Sequence, residues 1–344
     1  MNFRKSKCDF KKILPAYKHA LYAERINCGR LKSKNMKLCY IFFVILLFGN
    51  CTSDQNEVQT PNLKKLEESC MIFTVLNLET VDTSGRKVFL NSDLTASFAE
   101  SAIRQPFVIS GSGCVLDSLH FGTVAHIVPL SFDDMYTLVP KNEQEIFGQK
   151  LEEAILKYGL SREKTNWRFI EHRSFVIPPR TMVEPLTKHL EKSPLEVPEG
   201  AFLVERQRHN ATHDVAVYKF KRKCPGIIGF FLNDLATPEE IKQIKNGSAI
   251  ESWGYPQNVK GMNAGIIEPI PEKTKFITQT PGPGYERFGT NIQTQSGASG
   301  SFVLDIESKK IIGVITDIDH LGTVRLSPAS YLREIYEEVL SAPR

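Results

Sequence analysis

Between Cys70 and the C-terminus, short apolar runs alternate with clusters of Gly, Pro, Asn and Asp. The runs are MIFTVL (71–76), PFVIS (106–110), CVL (114–116), SFVI (174–177), AFLVE (201–205), VAVYKF (215–220), IIGFFL (227–232), AIESW (249–253), SFVLD (301–305) and IIGVIT (311–316). They are short, rich in β-branched and aromatic residues, and bounded by turn formers, which predicts strands. So many short strands predict an all-β barrel or sandwich core. Two stretches follow a helical period instead. Asn142 and Glu145 make a capping box ahead of IFGQKLEEAILKY, and Gly159 supplies the stop. In SPASYLREIYEEVL, Ser327 is the expected N-cap and Pro328 the first helical residue. Leu332, Ile335, Tyr336, Val339 and Leu340 then recur at helical spacing. The chain contains no internal repeat.

Upstream the pattern changes. Leu38–Phe48 is an uninterrupted apolar run of eleven residues, preceded by Lys37 and followed by Gly49, Asn50 and Cys51. A spanning helix needs about 20 apolar residues, so this run matches the apolar core of a secretory signal. The expected organisation is a basic extension (1–35) with Met36 as a candidate start, a signal peptide (36–51) and a polar tether (52–65). A folded body (66–342) follows, with an insertion at about 140–200. A cysteine directly after such a run resembles the lipidation site of bacterial lipoproteins, with Cys51 as the acylated residue. Asn50 and Phe48 depart from the commonest form of that site, which has a small residue before Cys and Leu three before it. Export, to the cell envelope or the medium, is the expectation. Membrane contact is expected only through the lipid or the short apolar segment.

Composition narrows the partners. Of 344 residues, 41% are hydrophobic and 24% charged, as in a folded protein. The formal net charge of +4 belongs to the leader: residues 1–37 hold eleven Lys/Arg and two acids, Asp9 and Glu24. From 43 basic and 39 acidic residues in all, 32 and 37 remain, a net of −5 for the rest of the chain. No nucleic-acid partner is expected of such a body. Cys70, Cys114 and Cys224 are the cysteines past Cys51, so the body has room for at most one disulfide. There is no Cys-x-x-Cys spacing, and no metal or cofactor is expected.

Candidate chemistry lies in three places. GASGS (297–301) puts Ser299 on a Gly-rich turn immediately ahead of a strand, with Gly297 two residues before it. A turn of that kind exposes a serine hydroxyl and aims backbone amides at a forming oxyanion. GSGCVLDSLHFGTVAHIV (111–128) reads as a Gly-Ser-Gly turn into a strand, then a second strand ending at His126. HDVAVYKF (213–220) sets Asp214 at the head of an alternating strand. Each has a plain rival: a loop serine, a half-buried histidine, a strand-edge acid. Ser296 competes with Ser299, His120, His209 and His213 with His126, and Asp317 and Asp319 with Asp214. The His209/His213 spacing suggests a metal on a helix, but Asn210 replaces the glutamate of that motif and a strand is expected there.

Taken together, the order His126, Asp214, Ser299, each in strand context, resembles the chymotrypsin-like (trypsin-fold) serine endopeptidases. The likeness is nearest to their disulfide-poor bacterial branch, which includes the glutamyl endopeptidases and HtrA-type proteases, and it covers roughly residues 66–342. It implies two six-stranded antiparallel β-barrels, with an inserted helix and a C-terminal helix here. It also implies Ser299 as nucleophile, His126 as general base, Asp214 as the group orienting the imidazole, and the Gly297 and Ser299 amides as the oxyanion hole. Protein or peptide substrates follow from it. Its substrate cleft corresponds to Gln293, Thr294, Ile315, Thr316 and Asp317, with the strand at 313–318 pairing with substrate backbone.

Two positions depart from the family. Ala298 stands where many secreted members carry an acid paired with a new N-terminus, so activity independent of that cleavage is expected. Ile315 stands where glutamyl-specific members use a histidine, although Thr294 matches their threonine. No acid falls at the expected pocket floor, which favours a neutral or apolar side chain at the cleavage site. The competing function from another class is a catalytically silent binding or adhesion lipoprotein on the same fold. An α/β-hydrolase esterase is excluded by motif order, since it needs Ser before Asp before His and a helix after the serine.

Overall fold

The computed structural model describes residues 61–99, 105–129, 139, 143–179, 181–182, 196–224, 226–255, 266–267, 270–274, 277–279, 288–294, 297–318 and 323–343. Cys51, the capping residue Asn142, Gln295, Ser296 and Asp319 lie outside them. Two compact units divide the chain at residues 58 and 59, and the described residues all belong to the second.

That unit begins with a short helix, α1 (Pro61–Leu66), which the polar pattern had assigned to the tether. Leu63 and Leu66 are the reason: both pack into the main core, and Lys65 pairs with Asp234 at 2.6 Å. Nine strands follow: β1 (Cys70–Val81), β2 (Lys87–Leu90), β3 (Ala96–Ser97), β4 (Phe107–Asp117), β5 (His120–Thr123), β6 (Arg168–Ile177), β7 (Thr181–Met182), β8 (Phe202–Asn210) and β9 (Val215–Phe220). Between β5 and β6 lies α2 (Gln144–Tyr158), which ends at Gly159 in the left-handed conformation, as its sequence demands. Its N-cap is Glu143 rather than Asn142, and no side chain caps it.

The barrel closes through β1. On one side β1 pairs with β4, and the ladder continues through β5, β9, β8 and β6 back to the other side of β1. Six antiparallel strands therefore form a cylinder, with β2 and β3 continuing the sheet beyond it. β1 is buried along almost its whole length, and its two faces have different neighbours. Cys70 and Ile72 join the main core, whereas Met71, Phe73 and Val75 pack with Phe175, Ile177 and Tyr255. A register shift between Val75 and Leu76 re-aims the far end. There Leu78 meets Leu151, Ala154, Ile155 and Trp167, which fastens α2 to the barrel.

Three expectations change here. Gly111-Ser112-Gly113 is no turn: PFVIS and CVL are one continuous strand, β4. A Cβ at position 113 would lie 2.4 Å from the Phe121 ring, so small residues make room for a neighbouring strand. Residues 168–177 fall inside the expected insertion yet supply β6, the strand that closes the barrel. IIGFFL (227–232) is not a strand. Phe230 is buried in the core, Ile228 and Phe231 are exposed, and the segment ends in a 3-10 turn at Leu232–Asp234.

The second half adds α3 (Pro238–Gln243) and strands β10 (Ile250–Gly254), β11 (Ile266–Ile267), β12 (Ile270–Thr274), β13 (Ile277–Gln279), β14 (Phe288–Thr290), β15 (Phe302–Asp305), β16 (Ile311–Ile318) and β17 (Val324–Pro328), then α4 (Ala329–Ser341). Where a second six-stranded barrel was expected, the described residues form a seven-stranded antiparallel sheet ordered β12-β10-β15-β16-β17-β14-β13. β11 pairs with β7. The all-β class and the two-part arrangement hold. Ser327 lies in β17, its hydroxyl donating to the His213 carbonyl, so α4 starts one residue later than expected, with Pro328 at its N-cap.

Cys70, Cys114 and Cys224 are free thiols, all buried. Burial raises all three, Cys114 to about 12 and Cys224 to about 11, so they behave as apolar core residues. Another buried cluster ties α4 to the barrel. Asp117 accepts from the Leu119 and His120 amides, lies 2.7 Å from the His120 imidazole and accepts the Tyr336 hydroxyl. Burial opposes ionisation of Asp117, but the His120 and Tyr336 hydrogen bonds outweigh it and hold the carboxyl at about 2, against an ordinary 3.8. A carboxyl lowered by folding stabilises above its unfolded pKa, and this is lost as pH falls towards its folded value. Tyr336→Phe is therefore expected to cost about 1.5–3 kcal/mol at pH 7, the usual worth of a hydrogen bond to a charged group. In urea unfolding, that difference from the wild type should shrink as the pH is lowered from 4 towards 2.

Candidate active site

The first barrel brings His126 and Asp214 together. β5 ends at Thr123, paired with Ala216 of β9, and the chain then makes one 3-10 turn, Ala125–Ile127. Ala125 and Ile127 are buried, which leaves His126 between them facing outwards. Asp214 immediately precedes β9, beside that turn. Its Oδ1 accepts the His126 amide at 2.9 Å and its Oδ2 lies 2.7 Å from the imidazole Nδ1. The ionised carboxylate accepts only, so Nδ1 carries the proton and a neutral ring keeps its lone pair at Nε2. The imidazole is 39% exposed and the carboxylate 13%: the acid is shielded while the base reaches solvent.

Asp214 holds φ +55, a left-handed value seldom adopted outside glycine, asparagine and aspartate. Its neighbours secure it. The His213 amide donates to Asn210 Oδ1 at 3.1 Å, and the His213 carbonyl accepts the Ser327 hydroxyl. The His213 ring stacks on Tyr331 of α4 with centroids 3.3 Å apart.

Ser299 comes from the second half. Gly297 (φ +99) and Gly300 (φ +95) give the turn its shape. The half-buried Ser299 hydroxyl donates to the Thr316 carbonyl at 3.1 Å. The Gly300 amide donates to the Ile315 carbonyl at 2.7 Å, the Ile315 amide to the Ser301 carbonyl at 2.9 Å, and the Ser301 amide to the Ala298 carbonyl at 2.9 Å. Among the described residues, the amides of Gly297 and Ser299 donate to nothing.

β4 docks this loop against the first barrel. The Ser112 amide donates to the Ser299 carbonyl at 2.7 Å. A Cβ at Gly111 would sit 2.9 Å from that carbonyl oxygen and 3.0 Å from the side chain of Ile127, His126's neighbour. The serine loop and the histidine turn thus abut the same glycine. Sequence reasoning missed β4's part in this. The available signal was three small residues inside a strand, a mark of close backbone approach.

The cleft residues separate into two groups. Gln293 is exposed, and Thr294 is half-buried with a hydroxyl that has no partner among the described residues. Asp317, half-buried, receives the Arg325 guanidinium at 2.5 and 2.7 Å. Thr316 is buried, with Oγ1 donating to the Arg325 carbonyl. Ile315 does not face the cleft. Its side chain lies in an apolar cluster with Ala298, Ile312 and Leu326, and its amide and carbonyl are engaged by the serine loop. It frames the wall without lining it.

No family model and no curated protein matches the chain. Among solved structures, the Rv3671c protease from M. tuberculosis in its active form aligns at 14% identity and TM-score 0.41. That match covers 85% of this chain and 88% of that one. An inactive serine-to-alanine mutant of the same protein aligns at 12% identity and TM-score 0.40, covering 85% and 98%.

Gly300 is the tightest point of the loop. A Cβ there would lie 1.9 Å from the Ser112 carbonyl oxygen and 2.4 Å from Thr123 Oγ1, at a φ that side chains resist. Gly300→Ala is expected to lower stability by at least about 3 kcal/mol, or to prevent folding. Chemical denaturation followed by circular dichroism measures this.

Proposed function

We propose that the body is a serine-type endopeptidase that cleaves proteins or peptides through an acyl-enzyme intermediate. The observation that carries this reading is the two-point bond between Asp214 and His126, with the Ser299 loop and the His126 turn both abutting Gly111. In this mechanism His126 Nε2 takes the Ser299 proton as Oγ attacks the scissile carbonyl, and later gives it to the leaving amine. Asp214 holds the imidazole in the tautomer that makes this transfer possible and stabilises its protonated form. The unengaged Gly297 and Ser299 amides receive the negative charge that develops on the carbonyl oxygen. Water then repeats the sequence to release the acyl group.

The resting hydroxyl points at the Thr316 carbonyl, so engaging His126 requires a rotation about the Ser299 side chain. A neutral or apolar side chain at the cleavage site fits the cleft, because the Asp317 carboxylate is already held by Arg325 and offers little to a lysine or arginine. Kinship with the glutamyl endopeptidase and HtrA-type branch is part of the same proposal. So are export and anchoring through Cys51, which follow from the apolar run before it.

A fluorophosphonate probe tests the chemistry. The wild-type chain is expected to be labelled, at a rate that rises with pH as His126 loses its proton. Ser299→Ala abolishes labelling, and Asp214→Asn slows it by roughly 10³–10⁴-fold, because asparagine allows the wrong tautomer. A folded wild type that takes no label would leave the catalytically silent binding protein as the better reading.

A further inference from the structure

We propose that Ser112 is the positioning residue of the oxyanion hole, a role that rests on the serine-hydrolase reading above. Ser112 is fully buried in β4, in the opposite half of the body from the nucleophile. Every polar group it has is engaged. Its amide donates to the Ser299 carbonyl at 2.7 Å, and its carbonyl accepts Thr123 Oγ1 at 2.7 Å. Its hydroxyl accepts the Tyr255 amide at 2.8 Å and donates to the Gly297 carbonyl at 2.8 Å.

The direction of that last bond is fixed by chemistry. A hydroxyl has one proton, the Tyr255 amide can only donate, and the Gly297 carbonyl can only accept. The proton therefore lies on the line to Gly297. One residue thus holds the Gly297 and Ser299 carbonyls, at the two ends of the short segment that carries the nucleophile. The amides of the same two residues, like that of Ala298 between them, have no partner among the described residues.

Such an anchor has work to do here. Gly297 at φ +99 is a glycine with other backbone orientations open to it, and any of them would swing a donor away from the developing charge. Ala298 contributes no polar side chain of its own and packs among Val303, Ile312 and Ile315. The Ser299 amide shares its peptide with the Ala298 carbonyl, which the Ser301 amide holds from within the loop; at Gly297 the anchor comes from outside, the Ser112 hydroxyl fixing the peptide that follows it without any cleavage or new N-terminus. Close packing protects the arrangement: a Cβ at Gly254 would lie 2.9 Å from Ser112 Oγ and 1.8 Å from Ser301 Oγ.

The test compares the full chain with its Ser112→Ala and Ser112→Thr variants by fluorophosphonate labelling rate across pH. Complete loss of one oxyanion donor costs about 10²–10³-fold, so Ser112→Ala, which loosens the hole, is expected to slow labelling by roughly 10- to 100-fold. The pH midpoint should stay in place, because His126 and Asp214 are untouched. Ser112→Thr, which keeps the hydroxyl, should recover most of the rate. Labelling of Ser112→Ala at close to the wild-type rate would overturn the proposal. So would a displaced midpoint, which reports a disturbed imidazole, or a threonine variant as slow as the alanine one. Should Ser112→Ala not fold, Ser112→Cys fills the same space with a poor donor and carries the same expectation. An unlabelled wild type would remove the hydrolase reading and this inference with it, whereas a labelled wild type with an indifferent Ser112 removes this inference alone.

Discussion

The pairing of β1 with both β4 and β6 is the constraint on which the rest of the body depends. A strand flanked on both sides and buried on both faces cannot change register without exposing apolar residues or losing ladder hydrogen bonds. Closure of the barrel through β1 sets where β4 and β5 lie, and β5 with β9 sets the separation of the two turns that carry His126 and Asp214. The helical insertion is fastened to the same strand beyond its bulge, so it adds a second packed layer without altering the cylinder.

The candidate triad is divided between the two parts of the body. His126 and Asp214 belong to the barrel, while Ser299 and its loop belong to the second sheet. No covalent crosslink fixes this seam, since Cys70, Cys114 and Cys224 are all free. Direct backbone approach does so instead, at Gly111, Gly254 and Gly300, with the apolar contact of Tyr255 on Met71 and Phe73 beside it. Each hydrogen bond across the seam contributes only about 1 kcal/mol net, but breaking one strands a buried polar group at greater cost. The seam is therefore rigid in proportion to its burial rather than to the number of its bonds.

Much of this was legible in the pattern of residues. VAVYKF coincides with β9, and Gly159 ends α2 where its sequence says it should, because period and punctuation are local properties. His126 and Asp214 were marked by strand context, and the contact between them follows from β5 pairing with β9. What was not legible depended on partners distant in the chain. IIGFFL has the composition of a strand, yet it builds no ladder: the Phe230 amide donates to the Val115 carbonyl of β4 and the Phe230 ring turns inward as an anchor. Gly111-Ser112-Gly113 has the composition of a turn, yet its small residues exist to admit Phe121 and the serine loop. Ile315 looked like a cleft residue because its strand borders the cleft, but its own face of that strand belongs to the core. Ser327 looked like a helix cap until β17 claimed it and His213 used its hydroxyl.

The left-handed backbone at Asp214 bears on how such a protein can change over generations. Asparagine tolerates that conformation nearly as well as aspartate, and glycine better than either. The two replacements that the fold accepts most readily are therefore ones that remove the carboxylate from His126. Selection for folding guards the carboxylate only through the His126 amide that its Oδ1 accepts. At a site where the backbone itself would welcome glycine, what aspartate adds is a carboxylate that accepts from His126.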